Sequence, residues 1–258
     1  IALIYSMPRI LLGVLIVLIA LIFFFISSGT LSEITGGGKD ISPERKLVTC
    51  TEDSIRESVN ILLEQGGYLK NPLNKTFQFS GENETSDLSF LCYNRNYYLP
   101  CINQQPMLIQ HLKREIHNYN EESVEECFES VVSDMKKEGY NVEDSYNGFE
   151  VNFEEGLVIL DINARLSYSK TNQTRVKNDF TISHRTNLYD LAVVAQEIVS
   201  QEARFCHFEN QGFSMFYPNF KIRKVKTSDL LTVYKIKHMD SGEIFKFAVR
   251  GCVLPPGI

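Results

Sequence analysis

The sequence predicts an α+β protein, in which a hydrophobic N-terminal helix precedes an antiparallel β-meander domain that is covered by helices. Three observations predict this fold. The N-terminal end is an uncharged apolar run, apolar residues recur with helical spacing between residues 51 and 139, and they alternate with period two between residues 140 and 185. Helical segments followed by alternating segments, without a regular strand–helix repeat, are typical of α+β folds.

The N-terminal apolar run covers residues 10–26 and contains no charged or polar side chain. As a helix it is about 25 Å long, slightly short of a hydrocarbon core of about 30 Å. We expect residues 1–30 to form an anchor or assembly helix. The residues expected to make its membrane or assembly contacts are Arg9, Ile10, Leu15, Leu18, Phe23 and Phe25.

Two interpretations of this helix stay open. It is either a type IV pilin-like assembly helix, from which an upstream leader was removed, or a plain membrane anchor that begins near Met7. Tyr5 stands where pilin-like helices usually carry Glu, and Ser6 with Pro8 suits a helix start near residue 7. Arg9 on the near side orients the chain with its N-terminus inside and its C-terminus outside.

The segment after the helix is predicted to be a flexible stalk over residues 31–46, with an extracellular domain over residues 47–258. Gly36-Gly37-Gly38 gives the stalk its freedom, and Ser42-Pro43 ends it.

Helices are predicted over three segments at the start of the domain. The first runs from Thr51 to Gln65, where Gly66-Gly67 stops it. Residues 70–104 are predicted to form a long polar excursion with short strands. A second helix is expected from Pro106 to Tyr119, and a third from its cap at Asn120 to Gly139.

The period-two region is predicted to be a four-stranded meander over residues 140–185, and its first turn is the hairpin dipeptide Asn147-Gly148. Asn187 is predicted to cap an apolar helix that ends near Ala203. Three further strands are expected over residues 220–226, 230–238 and 243–250.

The six cysteines all follow the apolar run, and none has C-x-x-C spacing. This usage predicts three disulfides in an oxidising compartment, with six reduced and buried cysteines as the alternative. Among the possible connectivities we favour Cys92–Cys101 as a local loop. We pair Cys50 with Cys127 between two helices, and Cys206 with Cys252 near the C-terminus.

N-glycosylation sequons begin at Asn74, Asn83 and Asn172. About two are expected by chance in a chain of this composition, but each lies in a polar, turn-like stretch where a glycan is tolerated. They agree with a domain displayed at the cell surface.

Composition excludes some functions. The net charge is −6 and no long basic run occurs, which argues against a nucleic-acid partner. Catalytic motifs such as G-x-S-x-G or H-E-x-x-H are missing from the sequence, so we predict no enzyme, no cofactor and no metal site.

His111 and His117 are expected on a solvated helix face.

Two further clusters have structural interpretations. Glu121, Glu122, Glu125 and Glu126 are expected to complement the dipole at a helix N-terminus. The aromatic stretch of Phe213, Met215, Phe216, Tyr217 and Phe220 is predicted to be core. If part of it is exposed, it becomes an oligomer contact instead.

The layout resembles a known group of proteins. After the apolar helix come the segment 63–69 (LEQGGYL), the segment 97–100 (YYLP), a helix containing Cys127, a meander and a late helix. This order is similar to that of uncharacterised single-span surface proteins of small-genome (DPANN-type) archaea, some of which have a pilin-like leader. The resemblance implies an extracytoplasmic location and favours a pilin-like role, and it implies no catalytic residue.

Together these features predict a structural subunit of an extracellular archaeal filament, which polymerises through its N-terminal helix. Its partners would be other copies of the chain. The alternative is a single-span anchored ectodomain that acts as an adhesin or as an accessory subunit of a membrane complex. Its partners would be membrane lipid and the subunits of that complex.

Overall fold

The computed structural model describes residues 42–74, 76–78, 85–96, 98–171, 173–227 and 231–252. The predicted N-terminal helix, with its contact residues from Arg9 to Phe25, lies outside the described residues, and so does the predicted stalk up to residue 41. Pro43 begins the unit that contains all the elements below.

The described residues fold as α+β, as predicted. Their helices are α1 (Pro43–Glu64), α2 (Leu108–Lys137), α3 (Leu188–Phe205) and α4 (Asn210–Phe216). Their strands are β1 (Thr76–Gln78), β2 (Thr85–Asp87), β3 (Phe90–Tyr93), β4 (Ile102–Asn103), β5 (Asn141–Glu154), β6 (Leu157–Lys170), β7 (Gln173–Arg185), β8 (Phe220–Lys226), β9 (Thr232–His238) and β10 (Ile244–Arg250).

Strands β5, β6 and β7 form an antiparallel three-stranded sheet. Alternate residues of β6, from Val158 to Leu166, are buried, because this face packs on α1 and α2. The rings of Phe128 on α2 and Phe180 on β7 meet edge to face across this layer, with their centroids 6.2 Å apart. The opposite face is largely polar.

The predicted hairpin at Asn147-Gly148 is wrong, and the meander has three strands instead of four. Strand β5 continues through the dipeptide, and its register with β6 shifts between Tyr146 and Phe149. Gly148 has φ 91°, a conformation that glycine adopts readily, and it therefore accommodates a β-bulge. Because β6 is long enough to pair on both sides of the bulge, the chain does not reverse there.

The second large sheet has five strands in the order β4-β3-β10-β9-β8. Strand β10 pairs antiparallel with β9, as predicted, and in parallel with β3, so the sheet is mixed at this one pairing. On the face toward α3, Tyr234 stacks on Phe247 at 5.3 Å between ring centroids. On the other face Phe90, Val233 and Ala248 form an apolar cluster.

Helix α1 begins eight residues earlier than predicted, at Pro43, so residues 43–46 are helical and do not belong to a stalk. Proline is compatible with the first helical turn because backbone N–H groups there have no acceptor within the helix, so the N–H that proline lacks costs no hydrogen bond. Leu47 is fully buried, and it extends the apolar stripe of the helix toward its start.

Helix α2 is one continuous helix in place of the two predicted, and Asn120 is not a cap. The side chain of Asn120 is buried. Its Nδ2 donates to Ser58 Oγ at 3.0 Å, and its Oδ1 accepts from Ser54 Oγ at 2.5 Å. Because both partners lie on α1, the asparagine joins the two helices from the middle of α2.

The Gly66-Gly67 pair ends α1, as predicted, and also permits a close approach of three elements. Both residues have positive φ, and Gly67 N–H donates to Leu62 O at 2.8 Å. A Cβ on Gly67 would lie 3.1 Å from Leu108 of α2, and one on Gly66 would lie 3.1 Å from Phe247 of β10. The double glycine therefore has a structural role at this junction.

Helix α3 follows Asn187, which occupies the predicted cap position without a capping hydrogen bond from its side chain. Instead, the Asn187 side chain and backbone N–H both donate to Glu243, at 2.9 and 2.7 Å. These hydrogen bonds, with those from Thr186 and Ser241, lower the pKa of the Glu243 carboxyl although burial opposes them.

Candidate contact surface

All six cysteines are paired. Cys50 bonds Cys127 between α1 and α2, Cys92 bonds Cys101 beside β3 and β4, and Cys206 bonds Cys252. The Cα–Cα separations are 5.9, 5.3 and 5.5 Å. These are the three pairs favoured from the sequence, and they are typical of an extracytoplasmic protein. Among the described residues, no helix is both long enough and apolar enough to cross a membrane.

The sequon positions are only partly described. Asn74 is exposed and has a left-handed backbone with φ 48°. Asn83 and Asn172 lie outside the described residues. Glycosylation of the three asparagines stays a prediction.

The histidines lie in different environments from those predicted. His111 is only 7% exposed and packs on the ring of Tyr68, 4.6 Å between centroids, so its placement on a solvated face is wrong. Burial lowers the pKa of His111. His117 is half-buried and stacks on Phe149. Within the described part of the chain, no group of three or more His, Cys, Asp or Glu is placed to hold a metal ion.

The predicted acidic patch of Glu121, Glu122, Glu125 and Glu126 is exposed, but it does not lie at a helix N-terminus. Because α2 is continuous, these glutamates project from its middle. Burial, Glu125 and Glu121 together raise the pKa of Tyr146 to about 12. The patch therefore contributes to the local negative potential without complementing a helix dipole.

The largest departure from the predicted core is the aromatic stretch after α3. Met215 is 83% exposed, Phe216 is 82% exposed and Tyr217 is 54% exposed. Val193 of α3, Phe213 and Tyr217 line one groove, and Met215 and Phe216 are exposed on the same short helix; we call these five residues the α4 surface. Exposed aromatic and methionine side chains in a group are typical of a protein–protein contact.

The short helix α4 is held in place by the residues that precede it. Phe208 is fully buried against Tyr234 and lies 5.5 Å from the ring of Phe213. The Glu209 side chain accepts from Gln211 N–H at 3.0 Å, which caps α4 and lowers the pKa of that carboxyl. Met215 and Phe216 are exposed on this helix, none of whose residues is fully buried.

A groove of about 530 Å³ separates α3 from α4 and the start of β8. Its walls include Tyr189 and Val194 of α3, and the stacked rings of Phe213 and Tyr217, 4.6 Å between centroids. Asp190 and Glu197 are its charged lining residues, and no lysine or arginine of the described chain lines it. The α4 surface therefore combines an apolar centre with an acidic margin.

A buried polar group lies beneath this region and fixes α3 on the sheet. The Glu202 side chain of α3 accepts hydrogen bonds from Tyr234 Oη and from Lys224 Nζ, the latter at 3.0 Å. The exposed fractions of the Lys224 and Glu202 side chains are 13% and 4%. Burial and the Glu202 charge raise the pKa of Tyr234 far above its usual value. The group joins α3, β8 and β9 at the base of the α4 surface.

Sequence reasoning singled out Phe213, Met215, Phe216 and Tyr217 and favoured a place in the core, with an exposed oligomer contact as the alternative. It missed α4 itself, the contribution of Val193, and the Glu202–Lys224–Tyr234 group. The dense apolar composition of residues 213–220 gave no signal for exposure, because the same residue types build cores and interfaces.

Comparisons of the chain with protein-family models, with curated proteins and with solved structures find no match.

Proposed function

We propose that the chain is a structural subunit of an extracellular pilus-like filament. In this proposal residues 10–26 pack against the same segment of other copies, and the α4 surface contacts a neighbouring copy. The observation that carries the proposal is a group of exposed apolar side chains on a domain with three disulfides. Burying Met215 and Phe216 in a contact would contribute about 1.5–3 kcal/mol for each side chain.

The form of the contact supports a polymer more than a closed dimer. If the α4 surface of one copy binds a different surface on the next, the contact is heterologous and generates an open helical array. The uncharged run of residues 10–26 suits such an array, because a helix of this composition must be shielded from water and other copies of itself can shield it. We include in this proposal that the chain is a member of the group of archaeal single-span surface proteins that it resembles.

The second candidate function is a membrane-anchored ectodomain, an adhesin or accessory subunit. The uncharged run with Arg9 on its N-terminal side favours it, since this arrangement suits a single span with the large domain outside. In that case residues 10–26 contact lipid, and the α4 surface contacts a different protein.

Electron microscopy of material sheared from cells that express the full chain separates the two functions. The filament proposal expects regular fibres that contain the chain. Met215→Ser with Phe216→Ser should reduce fibre yield at least tenfold, because the contact loses its apolar centre. The matched control is Ile102→Ser with Met107→Ser, two similarly exposed apolar positions outside the α4 surface, and it should leave the yield unchanged. A chain found only in detergent-extracted membranes would contradict the filament and support the anchored ectodomain.

A further inference from the structure

Five cationic side chains share one face of the five-stranded sheet. They are Lys221 and Arg223 of β8, Lys235 and Lys237 of β9, and Lys246 of β10. Residues directly opposite each other on adjacent strands point to the same side of a sheet. The register pairs Lys221 with Lys237, Arg223 with Lys235, and Lys235 with Lys246. We call these five residues the basic face.

The basic face is turned away from α3. Along β9, Tyr234 and Ile236 alternate with Lys235 and Lys237 and are buried on the opposite side, where Tyr234 donates to Glu202 of α3. The remainder of the outer side is occupied by the apolar cluster of Phe90, Val233 and Ala248. On this outer side of the sheet, the cations therefore occupy the area that the apolar cluster does not cover.

Three of the five cations have no ion pair among the described residues. Lys221, Arg223 and Lys237 are exposed, and no carboxylate of the described residues forms an ion pair with them. Lys246 is buried and bonds Glu64 at 3.4 Å. In a chain whose net charge is −6, this face concentrates the opposite sign.

Protection of the sheet edge does not explain the whole arrangement. Strand β8 is an edge strand, and cations there prevent pairing with another chain. Strand β9 is internal, between β8 and β10, and needs no such protection. Like charges directly opposite each other destabilise a sheet, so Lys237 of β9, opposite Lys221 of β8, opposes the stability of that pairing.

We propose that the exposed cations of the basic face, Lys221, Arg223 and Lys237, bind a linear acidic polysaccharide through its carboxylate or sulfate groups. Side chains on one sheet face stand side by side, about 5 Å apart between strands and about 7 Å apart along a strand. Such an array matches the repeated charges of an extended polymer better than one small anion, which binds where donors converge. The disulfides indicate an extracytoplasmic compartment, which favours a surface polysaccharide over a nucleic acid.

The inference does not depend on the proposed filament. It derives from the register of β8, β9 and β10, whereas the filament derives from the α4 surface and residues 10–26. An anchored ectodomain and a filament subunit would both display the basic face. A negative result in the binding experiment would therefore leave the filament proposal intact, and a negative result in the filament experiment would leave this inference intact.

The test measures binding of the detergent-solubilised full chain to immobilised heparin, with neutral dextran as the blank. Wild type should be retained on heparin alone. Lys221→Gln with Lys237→Gln should weaken binding about tenfold and reduce the salt dependence by about one to two charges. The control Lys136→Gln with Lys137→Gln makes the same change in net charge at exposed positions on α2, and it should bind as wild type does.

Two further arms distinguish a binding face from a structural one. Lys221→Arg with Lys237→Arg keeps the charges and should keep the affinity. The glutamine variant should keep or raise the thermal midpoint, because it removes a like-charge pair. Equal losses in the glutamine and control variants would overturn the inference, as would tighter binding of duplex DNA or of phosphatidylserine vesicles than of heparin.

Discussion

The half of the domain built from α1, α2 and the three-stranded sheet differs from the half built from α3, α4 and the five-stranded sheet. In the first half, which we call the meander half, each strand pairs with its neighbour in sequence. In the second, the mixed-sheet half, β10 pairs with β3, which lies far from it in the sequence. The meander half closes locally, whereas the mixed-sheet half depends on a long-range contact.

The surfaces of the two halves differ as well. The outer face of the three-stranded sheet mixes acidic, basic and amide side chains, as a solvated face does. The mixed-sheet half carries both the α4 surface and the basic face. In the two proposals above, the mixed-sheet half presents the surfaces for partners and the meander half is mainly a framework.

The largest expected effect comes from the disulfides. Cys50 and Cys127, of the meander half, are 77 residues apart, while Cys92 and Cys101, of the mixed-sheet half, are 9 apart. Because a longer closed loop restricts the unfolded chain more, we expect the double alanine variant to lower the free energy of unfolding by about 4.5 kcal/mol for the first pair and about 2.5 kcal/mol for the second. Denaturant titration under oxidising conditions measures both. Equal losses would show that loop length does not set their contribution.

A second prediction compares the ion pairs of the two halves. Glu202→Ala leaves Lys224 buried without its carboxylate and should destabilise the protein by about 3–4 kcal/mol. Lys46 pairs with Asp134 at 3.0 Å on the surface of the meander half, and Lys46→Ala should cost less than about 1 kcal/mol. The same titration gives both values. If Glu202→Ala lowers the free energy of unfolding by less than about 1 kcal/mol, the Lys224 charge is solvated by other groups in the variant.

A third prediction concerns two glycines with nearly equal φ, 87° at Gly67 and 91° at Gly148. Gly148→Ala meets no atom within 4 Å, so only the backbone strain remains, about 1 kcal/mol. Gly67→Ala adds contacts at 3.1 and 3.2 Å with Leu108 and Leu112 and should cost about 2–3 kcal/mol. Thermal unfolding of both variants measures the difference. If the two variants unfold alike, the junction between α1 and α2 is looser than the structure indicates.

The smallest expected effect is a dependence on pH in the meander half. The Nε2 atom of His184, on β7, lies 3.1 Å from Thr51 Oγ1. Burial lowers the pKa of His184, and the nearby Glu52 charge opposes that shift. The unfolded chain therefore binds the proton more readily, and stability should fall as the pH falls through about 6.5. Chemical unfolding at pH 7.5 and 5.5 measures the change.

The matched variant for this prediction is His184→Gln, which retains a hydrogen-bonding group near Thr51 and removes the titration. It should show a smaller loss of stability between the two pH values than wild type. His111, whose pKa burial also lowers, accounts for part of the remaining slope. Stability that stays constant or rises on acidification would contradict the placement of both histidines.

Prediction from the sequence succeeded where the pattern is local. The strands expected over residues 220–226, 230–238 and 243–250 lie within two residues of the observed β8, β9 and β10. Prediction failed where a residue type serves two purposes. Asn120 suits a helix cap, but partners on α1 place it inside α2. Asn147-Gly148 suits a hairpin turn, but a long partner strand makes it a bulge.

The candidate surfaces show the same division. The aromatic and methionine residues of the α4 surface were identified from composition, but the sequence could not decide between core and exposed contact, because exposure depends on whether another element covers them. The basic face was not expected at all. Its cations come from three strands and are not consecutive in sequence, so a search for basic runs did not detect them.

The sequence by itself determined the α+β class and most helices and strands, and its cysteine usage indicated disulfides and an extracytoplasmic compartment. Periodicity and cysteine usage are properties of neighbouring residues, and they survive without knowledge of the fold. Only the tertiary structure decided that β3 inserts beside β10, that Met215 and Phe216 face solvent, and that five cations share one side of a sheet. These features depend on long-range pairing, because burial and strand register are set by residues far apart in the chain.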